Sequence, residues 1–279
     1  MRRHREWRGG ITGPLILIGL GVLFLLQNLG FPLGIGEMIS RFWPVILILI
    51  GVDILFGIRF HRGGFTRDGN DQNFSEPVNG VTQADVDIRT GINRLRIEDL
   101  QDSNLLCEGN IILGGNERFS KDFHREGNTA YLRLNSRDDF FPWFNHWHFE
   151  RNWNLRFNRE IPTRLKIHTG VGEAEINLQK IKVTDLDLNT GVGRTTLTLP
   201  ESGKVQARVE GGVGEIYIVI PKGMAASIKA STGIGSLDVG GNYTFQGDLR
   251  ISPGFETAEN RVNLRIHGGI GKITIREGN

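Results

Sequence analysis

Two kinds of hydrophobic patterning divide this 279-residue chain. Ile11–Phe31 (ITGPLILIGLGVLFLLQNLGF) and Phe42–Phe60 (FWPVILILIGVDILFGIRF) are nearly continuous apolar runs. Each approaches the ~20 residues a helix needs to cross ~30 Å of hydrocarbon, and neither carries a polar stripe of helical period. Farther along, the pattern becomes short alternation: Leu165 and Ile167, Ile176 and Leu178, then Ile216, Ile218 and Ile220. Period 2 over four to six residues predicts a strand with one face in a core. The fold class expected is a membrane-anchored all-β protein, with an N-terminal two-helix transmembrane hairpin ahead of the strands.

The alternating runs are punctuated by a glycine phrase that recurs: HTGVGEAEINL from His168, NTGVGRTTLTL from Asn189, EGGVGEIYIVI from Glu210, STGIGSLDV from Ser231 and HGGIGKITI from His267. Their glycine pairs are Gly170 and Gly172, Gly191 and Gly193, Gly212 and Gly214, Gly233 and Gly235, and Gly269 and Gly271. The first four copies are spaced by 21 residues, and a decayed copy places Gly91 in the same position. A period in this range predicts stacked repeats in which no unit buries its own apolar face. Each repeat reads as strand, glycine corner, strand and turn, so stacking gives a β-solenoid with ~21-residue coils. The parity of the alternation slips at the corner. With Val213 assigned inward, Ile216 falls three residues later, and a corner or bulge must absorb the extra residue. Glycine supplies the positive φ such a corner often needs.

The membrane part is bounded by charge. Arg2, Arg3, Arg5 and Arg8 precede the first apolar run and Arg59, Arg62 and Arg67 follow the second, while the connecting loop offers only Arg41 beside Glu37. Positive flanks stay cytoplasmic, so both termini and the solenoid are expected on the cytoplasmic side of a cell's inner membrane. The segments expected are a basic tail (1–10), a hairpin (11–60, with spans 11–31 and 42–60), a polar glycine-rich linker (61–80) and the solenoid (81–279). Asp53 is the single carboxylate within an apolar run. It reads either as a hydrated or paired structural group near Arg59, or as a contact to a partner helix.

One insert, residues 138–159, differs from everything around it. It carries eight large aromatics, among them Phe140, Phe141, Trp143, Phe144, Trp147 and Trp153, mixed with Asn, Arg and His. These six are candidate partner contacts, since such mixtures serve membrane interfaces, stacking on nucleic acid, or protein contacts. The bland alternative is a loop that caps the solenoid core. His124, His146 and His148 lack the Cys or carboxylate spacing of a tetrahedral zinc site. A formal net charge of +2 weighs against nucleic acid. One cysteine, Cys107, beside Leu105 and Leu106, excludes an intramolecular disulfide and reads as a small buried hydrophobe. The GxG phrases precede strands where a phosphate loop needs a helix N-terminus. The calcium-binding nonapeptide would need aspartates where Ile216 and Ile273 stand. No catalytic, cofactor-binding or metal-ligating residues are expected, and no cofactor.

PLILIGLGVLFLLQNLG followed by FWPVILILIGVDILF resembles the paired transmembrane region of LiaI- and LiaF-like bacterial membrane proteins. IHTGVGEAEINL and LDLNTGVGRTTLTLPESG resemble the toast-rack β-solenoid found behind that region, related to the C-terminal domain of LiaF. The resemblance covers residues 11–60 and 160–279. It implies a non-enzymatic, membrane-tethered regulator or scaffold in cell-envelope stress signalling, because LiaF inhibits a membrane histidine kinase. The partners implied are the lipid bilayer and such a kinase. Two alternatives stand beside it: a structural solenoid that self-associates through its edges, and a ligand-binding or carbohydrate-active solenoid.

Overall fold

A computed structural model of the chain describes residues 71–114, 117–138 and 151–278. The two apolar spans with Asp53, and the aromatics Phe140, Phe141, Trp143, Phe144 and Trp147, lie outside the described residues. Six long strands of 15–18 residues form the body: β2 (Gln83–Leu100), β7 (Thr163–Asn177), β8 (Val183–Thr198), β9 (Lys204–Ile220), β10 (Ala225–Val239) and β13 (Arg261–Glu277). Each carries one glycine phrase at its middle and is one rung of an open stack. Neighbouring rungs run parallel and in register, so each phrase pairs with the next: Gly172 with Gly193, Gly193 with Gly214, Gly214 with Gly271. The halves before and after the phrase send side chains into one shared core, as Leu165 and Ile167 meet Ala174, Ile176 and Leu178.

Two physical demands explain the glycines. The second glycine of each pair has φ between 137° and 146° (Gly172, Gly193, Gly214, Gly235, Gly271), a region L-residues with a Cβ rarely adopt. The first glycine has no such requirement, and its constraint is space. A Cβ on Gly212 would stand 2.3 Å from the carbonyl oxygen of Gly191 on the neighbouring rung. The rungs approach so closely at the bend that neither position tolerates a side chain.

The parity slip is real, but it lies on the other side of the middle residue from where alternation alone puts it. Val213 faces out, 46% exposed, and Ile216 faces in. The backbone turns over at the phrase, so the residue between the glycines is thrown to the convex side. A Cβ on Gly211 would lie 2.4 Å from Ile216 Cδ1, because that side chain folds back under the bend.

Three further features depart from the sequence reading. The rung order is β2-β7-β8-β9-β13-β10, with the last strand inserted between β9 and β10. A charge column runs through this order. Arg94, Glu173, Arg194, Glu215, Lys272 and Ser236 occupy equivalent positions on successive rungs, so β13 offers Glu215 a cation where β10 offers a neutral serine. Arg94–Glu173 and Arg194–Glu215 each close to 3.2 Å. The stretch read as linker contains β1 (Asp71–Pro77), which pairs antiparallel with β3 (Leu105–Ile112). The stretch read as an insert contains β6 (Asn152–Asn158), paired parallel with the second half of β2 and antiparallel with β3. Tertiary pairing makes strands of both, since neither carries a glycine phrase to mark it.

Beyond β2, the hairpin of β4 (Glu117–Glu126) and β5 (Thr129–Asp138) extends the first half of the stack, with β5 parallel to β2. At the other end β12 (Leu249–Ile251) pairs with residues 227–229 of β10, and β11 (Thr244–Gln246) pairs with β12. Cys107 is buried in the core between β1 and β6, and burial pushes its thiol up to about 12.

Candidate functional site: the convex corner edge

The residue after the first glycine of the phrase is β-branched on every rung. Ile92, Val171, Val192, Val213, Ile270 and Ile234 pair in this order across the six rungs, forming one unbroken column on the convex side. Five inter-strand steps of ~4.8 Å make this ridge about 24 Å long. In-register β-branched neighbours pack on one another, worth ~0.2–1 kcal/mol per pair. That packing still leaves each side chain 46–69% exposed, from Val213 to Ile234. A large aliphatic at the same exposed place on six rungs is a contiguous apolar line, unlike scattered surface hydrophobics.

The aromatic insert emerges at the end of this line. Along β2, Arg89 pairs with Asn135 of β5 and Arg94 pairs with Asn152 of β6. Strands β5 and β6 are therefore two halves of one further rung, and the aromatic insert connects them in sequence. Its feet are fixed to the corner of β2: the Gly91 amide donates to Ser136 Oγ at 3.3 Å and the Arg94 amide to the Arg151 carbonyl at 2.9 Å. Arg151 Nε stands 3.9 Å from the buried Glu117 carboxylate, which accepts from the Gly114 amide at 3.0 Å. The described flanks of the insert thus stand at the corner of β2, next to Ile92 in the ridge.

Trp153 does not belong to a contact surface. It is fully buried, stands edge-on to Phe119 with centroids 5.4 Å apart, and continues the inward column of Leu155 and Phe157. It is a core residue because β6 completes a rung, and that correction removes it from the contact candidates. The ridge was missed from sequence because Val213 was counted inward. The signal available was the β-branched residue between the glycines in all copies, even where the next inward position is Ala174 or Thr195.

Several charged groups of the outer faces are paired across neighbouring strands. Arg96 meets Glu175 at 2.7 Å and Arg164 meets Asp85 at 3.2 Å, and Arg156 pairs with Glu108. His124 lies exposed on β4, stacked on Tyr131 with centroids 5.1 Å apart, while His146 and His148 lie outside the described residues. Among the described residues no group of His, Cys, Asp and Glu is placed to hold a metal ion.

Comparison with known proteins follows the same division. Residues 11–55 match the LiaI-LiaF-like transmembrane region, and residues 65–219 match the family described as the N-terminal domain of toast_rack, DUF2154. No curated protein matches the chain. A solved structure from Clostridium sporogenes ATCC 15579, provisionally described as a cell adhesion protein, is similar at 23% identity. It aligns with 76% of this chain and 100% of its own at a TM-score of 0.69, a likeness of fold. A provisional adhesin from Bacteroides fragilis NCTC 9343 aligns with 76% of this chain and 98% of its own at 12% identity, but its TM-score of 0.29 carries no argument. With rungs, glycine corners and the match over 65–219 agreeing, the chain belongs to the toast_rack N-terminal-domain family, behind a LiaI-LiaF-like transmembrane region.

Proposed function

We propose that this protein is a non-enzymatic, membrane-tethered scaffold or regulator whose β-solenoid makes protein contacts through its convex corner edge. The observation that carries the reading is the ridge from Ile92 to Ile234 with the feet of the aromatic insert at its end. Trp and Arg are enriched at interface hot spots, and an apolar line bordered by charges has the make-up of an interface core and rim. Ion pairing of the outer-face carboxylates supports the non-catalytic part, since a hydrolytic pair needs carboxylates free to take or give a proton. The LiaF likeness points to a membrane histidine kinase of the envelope-stress response as the partner. In this reading 11–31 and 42–60 form a two-pass hairpin in the inner membrane and the solenoid is cytoplasmic.

Replacing Trp143, Phe144 and Trp147 by alanine tests the contact role, with Val192→Lys as a second variant on the described ridge. Both are expected to stay folded, Val192→Lys with a melting temperature lowered by a few degrees at most, while losing photocrosslinks to a membrane protein in native membranes. A melting temperature lowered by many degrees in the triple variant, with crosslinking lost only in proportion, would make the insert a cap on the core and end the contact reading.

A further inference from the structure

The two halves of the stack end differently at β10. Before the corner, β12 and β11 carry the sheet two strands beyond β10, and Ala226 and Ile228 are fully buried. After the corner, among the described residues, β13 is the only strand paired with residues 233–239 of β10, so one backbone edge is open. The core shows the same incompleteness. Leu237 and Val239 continue columns whose members on β13 and β9, Ile273 with Ile216 and Ile275 with Ile218, are buried. On β10 the two end members are only half-buried.

The other outer edges carry features that resist strand addition. Strand β1 ends in a register shift at Pro77, β4 is studded with charges such as Lys121 and Arg125, and β11 is three residues long. The open half of β10 reads GIGSLDV: no proline, no lysine, and one carboxylate, Asp238, exposed and paired with Arg276 of β13.

We propose that this half-edge, under the overhang of β12 and β11, is a dock for one extended peptide from a partner, added as a further strand. Its recognition chemistry is apolar, basic, apolar in alternation. The apolar side chains extend the Leu237 and Val239 columns, the basic one lies beside Asp238, and main-chain hydrogen bonds supply the remainder. A second copy of this chain fits poorly. Two-fold antiparallel pairing of the open halves sets both overhangs on one face of the joined sheet, each in the space of the other copy's rungs. This site meets the convex ridge only at Ile234 and does not rest on the function proposed above.

The probe is a synthetic peptide with the sequence of residues 93–100 of this chain, Asn-Arg-Leu-Arg-Ile-Glu-Asp-Leu, capped at both ends and fluorescently labelled. In the register of the stack its Leu95, Arg96 and Ile97 fall beside Leu237, Asp238 and Val239. Anisotropy titration against the full chain in nanodiscs is expected to show saturable binding, with slowed amide exchange across 234–239. In a parallel or antiparallel ladder alternate residues direct their amides to opposite sides. N-methylation at Leu95 and Ile97, or else at Arg96 and Glu98, should therefore abolish binding while the other pair leaves it intact. Asp238→Lys in the protein should weaken binding about tenfold, as loss of an attraction plus a new repulsion. Equal binding of the two methylated peptides, or no saturation, would overturn the proposal. So would a dimer in which 234–239 is protected without peptide.

Discussion

At the scale of single residues, the glycine phrase contains three positions with three different constraints. Gly214 is held by its backbone: φ is 137° and a Cβ would meet the Gly193 carbonyl oxygen at 1.9 Å. Gly214→Ala is expected to destabilise the domain by about 2 kcal/mol or more, read as a shift in urea midpoint. Val213 lies on the convex side, so Val213→Asp should cost only its two neighbour pairs, about 0.4–2 kcal/mol, and leave the domain folded. Ile218→Asp, which buries an unpaired charge, should prevent folding. The alternation alone gives the reverse order for Val213, and a large loss at Val213→Asp would show the bend to be misplaced.

Cys107 gives a residue-scale test with a defined pH window. Its folded thiol is pushed up to about 12 from an ordinary 9.0, chiefly by burial. A raised folded value means the unfolded chain loses this proton first. The neutral thiol's contribution is complete below pH 9 and is lost as pH rises from there towards 12. Melting temperature should fall above pH 9, and Cys107→Ala should remove part of that slope. An unchanged slope would mean that other groups govern the alkaline limb. Maleimide should not label Cys107 in the folded protein at pH 7, because the thiolate is suppressed and the sulfur is buried.

At the scale of elements, rung order is the choice that most needs explaining. Identical corners make the rungs nearly interchangeable as backbones, and the side chains between corners must distinguish them. The column Arg94, Glu173, Arg194, Glu215, Lys272 alternates in sign and favours β13 over β10 as the neighbour of β9. Glu215→Arg would align three cations on consecutive rungs. It should cost up to ~1 kcal/mol at low salt, with most of the loss recovered at 1 M salt, where the Debye length is about 3 Å. Adding Lys272→Glu should restore about half of the low-salt loss, since Arg194 still faces the new arginine. Failure of that restoration in urea melts would remove charge alternation as the cause of the order.

The strands themselves were legible to different degrees for identifiable reasons. Rungs β7, β8, β9, β10 and β13 each announce themselves by alternation around GxG, and β2 does so through Gly91. β6 was hidden because Trp153, Leu155 and Phe157 alternate within a stretch whose aromatic density suggested surface contact. β1 was hidden because DQNFSEP has little apolar content, and it is a strand only because β3 offers an edge. The convex ridge was visible as a residue type but not as a direction, since facing is decided by the turnover at the second glycine.

At the scale of the whole molecule, a LiaI-LiaF-like transmembrane region and a stack of rungs are joined in one chain, and topology is the property most open to a direct test. In a Cys107→Ala background, Gly36→Cys should react with a membrane-impermeant thiol reagent in intact cells, whereas Ser202→Cys, exposed on a turn of the solenoid, should not. Labelling of Ser202→Cys from outside would put the solenoid on the opposite face of the membrane and remove a cytoplasmic kinase domain as its partner.

The sequence by itself determined what repeats. Period and alternation are local properties, written into every copy, and they fix the rung, the bend and the family. Hydrophobic runs of membrane-spanning length are equally local. Only the tertiary structure decided which rung lies beside which, that β5 and β6 are two halves of one rung, that Val213 points outward, and that half of β10 has an open edge among the described residues. Each of these depends on pairing between residues distant in the chain. Near-identical rungs offer many pairings of similar energy, and only side-chain columns spanning the whole stack select one.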